Sequence, residues 1–293
     1  MKQSSTFIPV ACIVLLSLFS GCNLINPAEP IPSYIHIERI GLTTDYASQG
    51  SNSAKISDAW VYIDGKLQGC YELPVTFPVL MQGNHTVIVK AGIKINGIAA
   101  TRAPYPFYEQ YSRSITLTPG QIETLSPTVS YSSGVSFPWL EDFDATNSLQ
   151  NSPSGSDTTI QLITIPSGST HPDVYEGTGS AAAYLDTHRT NGEFICTPSR
   201  VLHGGTTPVF LEFNYKCNAS FTVGMYSHGS ASSVKTPILN FRSSEGWNKA
   251  YLYLTPTISA FPGDDYTVFF AMQNGIGMDS MAFVLDNIKL VQY

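Results

Sequence analysis

The chain has 293 residues, a formal net charge of −7 and only 13% charged residues. No basic run occurs in the sequence, which argues against nucleic acid as a partner and against electrostatic docking on anionic lipid. With so few charges, Ser, Thr, Asn and Gly must cover the surface, and with 16 Tyr, 15 Phe and 19 Pro the composition describes an extracytoplasmic all-β protein. The first element is an apolar run from Phe7 to Phe19, preceded by Lys2. It falls short of the roughly 20 apolar residues a bilayer span needs and contains Pro9, so it reads as a secretory signal.

Leu18-Phe19-Ser20-Gly21-Cys22 resembles the bacterial lipobox, with Phe19 where Leu is usual. The resemblance implies a signal peptide over residues 1–21, a diacylglyceryl thioether on Cys22 and acylation of the new amine. It also implies an outer-membrane address, with the leaflet left open. Several acyl chains, at about 0.8 kcal/mol per buried methylene, make a stable anchor. Residues 22–33 carry Pro27, Pro30 and Pro32 without apolar periodicity and read as a stiff spacer. Without residues 1–21 the balance is 14 basic to 22 acidic residues, on a length that suits one large or two ordinary domains.

From residue 34 to about 130 the pattern is of short alternating strands. "YIHIERIGL" sets Ile35 and Ile37 against His36 and Glu38. Asp64-Gly65 between two apolar runs is a strong hairpin signal. Gln82-Gly83-Asn84 turns the chain into a further strand over 85–90. The series Val61, Ile63, Asp64, Gly65, Gly69, then Pro74, Gly83, His85 and Val87 resembles PEGA-type and related immunoglobulin-like modules. That resemblance implies a small β-sandwich acting as a non-catalytic spacer or adhesion unit, with a structural role for His85. A long insert between Lys90 and Arg113 departs from it and contains "APYPFYEQY". Its Tyr105, Phe107 and Tyr108 read either as an exposed loop that stacks on sugar or docks a partner, or as the filling of a seam between domains.

Residues 126–136 are rich in Ser, Pro and Gly and mark a boundary. A second unit follows over 137–293, with strand-length runs at about ten-residue spacing, as in a β-sandwich of two antiparallel sheets. In "PVFLEFNYKC", Val209, Leu211, Phe213, Tyr215 and Cys217 form one face, while Phe210, Glu212, Asn214 and Lys216 form a wetter one. The segments "WLEDFD", "WNKAYLYLT" and "LDNIKL" resemble the jelly-roll, carbohydrate-binding-like domains of surface lipoproteins in Bacteroidota-type bacteria. The fold expected is therefore all-β, with a smaller immunoglobulin- or PEGA-like sandwich followed by a larger jelly-roll-like one.

Four chemistries are weighed. Glu141, Asp142 and Asp144 open the second unit and Asp286 lies in its last strand, so a structural calcium with hard oxygen ligands is one expectation. The alternative has these side chains satisfying backbone groups. Trp247, Tyr251 and Tyr253 share one parity and form an aromatic platform for sugar if Leu252 and Leu254 face the core, with Tyr226 or Tyr215 able to join. The opposite parity buries Trp247. Cys196 and Cys217 flank consecutive strands and can pair as a disulfide or remain buried thiols, with Cys70 apart from both. Catalysis finds little support, because no G-x-S-x-G, Walker or dinucleotide pattern occurs and His203–Thr206 reads as a turn. The reading is a lipid-anchored, non-catalytic envelope protein whose partner is a polysaccharide. Its alternatives are an accessory subunit of an outer-membrane transport, assembly or fimbrial complex, and a hydrolase of unknown type.

Overall fold

The computed structural model describes residues 29–153, 155–230, 232–275 and 279–293. Cys22 and the signal segment, residues 1–21, lie outside them. The described residues form an all-β structure of two β-sandwich domains.

The first domain contains β1 (Ser33–Ile37), β2 (Gly41–Thr43), β3 (Asp58–Ile63), β4 (Lys66–Glu72) and β5 (Val75–Val79). It continues with β6 (Gly83–Lys94), β7 (Arg102–Pro104), β8 (Tyr111–Leu117), β9 (Ile122–Leu125) and β10 (Thr128–Ser130). One layer places β1 between antiparallel β5 and parallel β9, with β10 parallel to β2 nearby; the other runs β4-β3-β6-β7, with β8 also on β6. Period-two burial fills the space between them with Ile35, Ile37, Val61, Ile63, Val87 and Val89. At the β3–β4 turn, Asp64 (φ +50°) and Gly65 (φ +77°) take the two left-handed positions that a two-residue hairpin demands. The Asp64 carboxylate then ties this hairpin to the next. It lies 2.6 Å from His85 Nδ1 and accepts from the Thr86 amide at 3.0 Å. His85 is thus a structural link between two hairpins.

The second domain contains β11 (Ser136–Glu141), β12 (Leu149–Asn151), β13 (Gln161–Thr164), β14 (Gly179–Asp186), β15 (Asn191–Cys196) and β16 (Val209–Cys217). After these come β17 (Phe221–His228), β18 (Ser233–Phe241), β19 (Ser244–Tyr253), β20 (Asp265–Gln273) and β21 (Ser280–Gln292). Sheet I has the order β13-β14-β21-β16-β19, with β11 also on β21; sheet II has the order β12-β15-β20-β17-β18. Val209, Leu211 and Phe213 of β16 face Val223 and Met225 of β17 and Val268 and Phe270 of β20 in one apolar core. The parity expected for β16 holds on this side.

Cys196 and Cys217 are not bonded to each other. Both are buried free thiols in this core, on strands of opposite sheets. The Cys196 sulfur accepts from the Val268 amide at 3.2 Å, and Cys217 donates to the Arg242 carbonyl at 3.8 Å. Burial raises both thiol pKa values, which keeps the sulfurs protonated and inert.

Candidate functional site

The outer face of sheet I carries Phe210, Glu212 and Asn214 of β16, Lys249, Tyr251 and Tyr253 of β19, and Lys289 and Val291 of β21. Leu252 and Leu254 do face the core, the condition for an outward aromatic platform. The aromatic side nevertheless meets the first domain instead of solvent. Tyr251 is 2% exposed and Glu212 is 0% exposed.

The Tyr-rich insert is the other half of this seam. Tyr105, Phe107 and Tyr108 are buried, so the insert is not an exposed docking loop. The Tyr105 ring packs edge-on against Phe210 (5.2 Å) and Tyr251 (5.1 Å), and Phe107 against Phe210 (6.0 Å). Tyr253 is half-buried against Phe210 at 4.8 Å. Trp247 stays nearer the surface, edge-on to Tyr175 at 5.6 Å, with its indole N–H donating to the Pro172 carbonyl. The expected Trp247, Tyr251 and Tyr253 plane is therefore split between the seam and its rim.

Several polar groups buried in the seam are matched across it. Glu212 accepts from Tyr105 Oη at 2.7 Å and Tyr131 Oη at 3.0 Å, and pairs with Lys249 at 3.5 Å. Lys289 Nζ donates to the Ser51 carbonyl, and Ser53 donates to Asn214 at 2.9 Å. Burial lowers the Lys289 pKa to about 8 and raises those of Tyr105 and Tyr131. A face that reads as wet in the sequence is dry because the first domain covers it and supplies hydrogen bonds to Glu212, Asn214 and Lys289.

The acidic residues also stay apart. β11 does pair with β21. Glu141 accepts from the Phe143 and Ser148 amides, Asp142 from the Asp144 amide and Tyr46 Oη, and Asp144 from Thr178. Asp286 is buried and accepts from the amides of Tyr175 and Asn287, and burial raises its pKa to about 8. Among the described residues no three His, Cys, Asp or Glu side chains converge as metal ligands. The calcium set is corrected accordingly, because these carboxylates are engaged one by one with backbone amides and hydroxyls.

The open surface is the outer face of sheet II, which takes part in none of the interdomain hydrogen bonds among the described residues. Tyr226 and His228, two residues apart on β17, point outward with ring planes 7° from parallel and centroids 6.2 Å apart. Phe269 of β20 supports the strip at 5.4 Å from Tyr226. It does so by lying over Gly224, where any Cβ would stand 2.3 Å from its ring. Glu193 of β15 accepts from Tyr226 Oη and from Lys235 of β18, and Lys235 sits 4.9 Å over the Phe269 ring. Burial favours the protonated Glu193, but bonds from Lys235 and Tyr226 outweigh it and hold the carboxyl below its usual range. His228 is fixed between Ser233 (2.7 Å) and Thr267 (2.8 Å). Beside the strip lies a depression of about 400 Å³, whose lining includes Asn191, Thr222, Asn240 and Gln273. Flat rings held rigid, with amides and hydroxyls at their edge, are suited to the apolar face and hydroxyl rim of a sugar. Of these residues the sequence reading singles out Tyr226 alone. The signal for Thr222 and His228 is the alternation in "SFTVGMYSH", where Phe221, Val223 and Met225 oppose Thr222, Gly224, Tyr226 and His228.

No protein-family model and no curated protein matches the chain. Among solved structures, the family 11 carbohydrate-binding module of a cellulosomal cellulase of Clostridium thermocellum is similar at 18% identity and TM-score 0.36. That match covers 55% of this chain and 97% of the module. The K3 cleaved adhesin domain of Lys-gingipain from Porphyromonas gingivalis is similar at 17% identity and TM-score 0.36, over 54% of this chain and 99% of that domain. The enzymatically active domain of tailspike protein 4 from bacteriophage CBA120 is similar at 15% identity and TM-score 0.37. There the match covers 52% of this chain and only 20% of the tailspike chain. At this level of likeness, function has to be read from the chain's own side chains.

Proposed function

We propose that this chain is a lipid-anchored, non-catalytic envelope protein that binds glycan through the outer face of sheet II. The observation that carries the reading is the rigid Tyr226–His228 strip beside a polar depression, on the sandwich face left free while the other is closed by the first domain. The first domain then acts as a spacer between the sandwich and an anchor at Cys22. A glycan array with the full chain, run beside Tyr226→Ala, tests the reading. Binding to at least one polysaccharide that Tyr226→Ala weakens about tenfold or more is expected from the loss of a stacking ring. Absence of any glycan ligand, or binding indifferent to Tyr226→Ala, overturns it.

A second reading, an accessory subunit of an outer-membrane complex, is favoured by a different observation. Ile31, Leu80 and Ile122 are exposed, on and beside β1 and its partners β5 and β9. Co-purification of a defined partner that is lost when Leu80 and Ile122 become Ser supports that reading.

A further inference from the structure

The domains leave a cleft of about 430 Å³ along the edge of β19, within the ~300–1,000 Å³ range of small-molecule sites. It lies between the turn Ile95–Gly97 of the first domain and the end of β18. The chain has 15 Lys and Arg against 22 Asp and Glu, yet Lys55, Lys94, Arg242 and Lys249 all line this cleft. No basic run betrays the convergence, because two of the four come from each domain.

The carboxylates within reach do not balance these charges. Lys249 pairs with Glu212 at 3.5 Å, and Lys94 with Glu72 at 2.9 Å. Glu72 is itself shared with Arg102, which also pairs with Asp58. Among the described residues the Lys55 ammonium meets only the neutral Asn248 amide, at 2.6 Å. Arg242 has no ion-pair partner among the described residues. Burial, and then the charge of Lys94, lowers the pKa of Lys55, so these cations are held together against repulsion. Asn240 belongs both to this cleft and to the depression on sheet II. The two concavities therefore meet across β18, the edge strand.

We propose that the cleft is the subsite for an anionic sugar, a carboxylate- or sulfate-bearing unit of an acidic polysaccharide whose chain continues over β18 onto sheet II. The inference rests on the glycan reading and names its ligand class. Arg242 supplies the planar fork that matches a carboxylate or sulfate, and Lys55 and Lys94 supply point charges opposite it.

Calorimetry on the full chain tests this with oligogalacturonate, its neutral methyl ester of equal length, a sulfated chondroitin oligosaccharide and inorganic sulfate. One of the two acidic oligosaccharides is expected to bind at least ~10-fold more tightly than the neutral ester, as the loss of charge-assisted contacts predicts. Its affinity falls with added salt. Arg242→Gln removes that advantage, bringing the affinity for the acid to that for the neutral ester, whereas Tyr226→Ala weakens both. Equal binding of acid and ester, or no effect of Arg242→Gln, overturns the inference while leaving the sheet II reading standing. Inorganic sulfate binding as tightly as the oligosaccharides reduces the cleft to a small-anion site and also overturns it. If none of these saccharides binds, the inference falls, and the glycan array alone decides the sheet II reading.

Discussion

Glu212 is the residue on which the union of the two domains is most sharply tested. It is fully buried in the seam, accepts two tyrosine hydroxyls from the first domain and faces Lys249 at 3.5 Å. Glu212→Ala strands a buried ammonium and two hydroxyls at once. Removing one partner of a buried pair costs about 3–5 kcal/mol, so a loss of at least ~3 kcal/mol is expected. Tyr105→Phe removes only one hydrogen bond to a charged acceptor and should cost less, about 1.5–3 kcal/mol. Replacing both charges by apolar groups of similar size, in Glu212→Leu with Lys249→Met, should recover most of the loss, because the desolvation of both ions disappears together. The assay is urea unfolding followed by far-UV circular dichroism and by the fluorescence of the three tryptophans, Trp60 in the first domain and Trp139 and Trp247 in the second. The loss should appear as one shifted transition common to both probes, because Phe210, Tyr251 and Val291 join the first domain's core. A cost below ~1 kcal/mol for Glu212→Ala, or a double variant as weak as the sum of its singles, refutes the reasoning.

Three further outcomes follow from the same geometry. Asp286, ordinarily at 3.8, is raised to about 8 by burial, so between those values the folded chain holds a proton that the unfolded chain has released. Its contribution to stability therefore falls as pH rises from about 4 to about 8, at roughly 1.4 kcal/mol for each pH unit in that window. Lys289, lowered from 10.5 to about 8, acts oppositely and adds stability between about pH 8 and 10.5. Denaturation across a pH series should show a minimum near pH 8 that Asp286→Asn makes shallower; an unchanged profile contradicts the assignment. Gly224→Ala places a methyl 2.3 Å from the Phe269 ring and 2.4 Å from the Thr236 carbonyl. It should cost about 1–3 kcal/mol in the same unfolding assay and disturb the Tyr226 strip, so glycan affinity drops as well. Because Cys196 and Cys217 are free thiols, dithiothreitol should leave Tm unchanged, and thiol titration of the denatured chain should find both reactive without prior reduction.

The strands were legible because burial with period two is a local property. Val209, Leu211 and Phe213 on β16 and the Asp64-Gly65 turn could be read from a few neighbouring residues. The seam could not. Glu212, Asn214, Lys249 and Lys289 have the composition of a solvated face, and alternation separates core from non-core without saying what covers the second side. What covers it here is a partner surface carrying matching donors and acceptors, Tyr105, Tyr131, Ser51 and Ser53, drawn from 81–238 residues away in sequence. The same limit applies to the cleft. Its basic character exists only after Lys55 and Lys94 are brought opposite Arg242 and Lys249, so no scan for charge runs detects it. The two surfaces are also mechanically linked. The contacts that hide Tyr251 from solvent fix the first domain against β19 and so set the width of the cleft along that strand. The Tyr253 amide donates to the Asn96 side-chain carbonyl, and the Lys55 amide donates to the Tyr251 hydroxyl, which places one wall of the cleft directly on the seam. Loss of the aromatic seam should therefore weaken recognition in the cleft even where every lining side chain is intact, whereas recognition on Tyr226 and His228 alone should survive it.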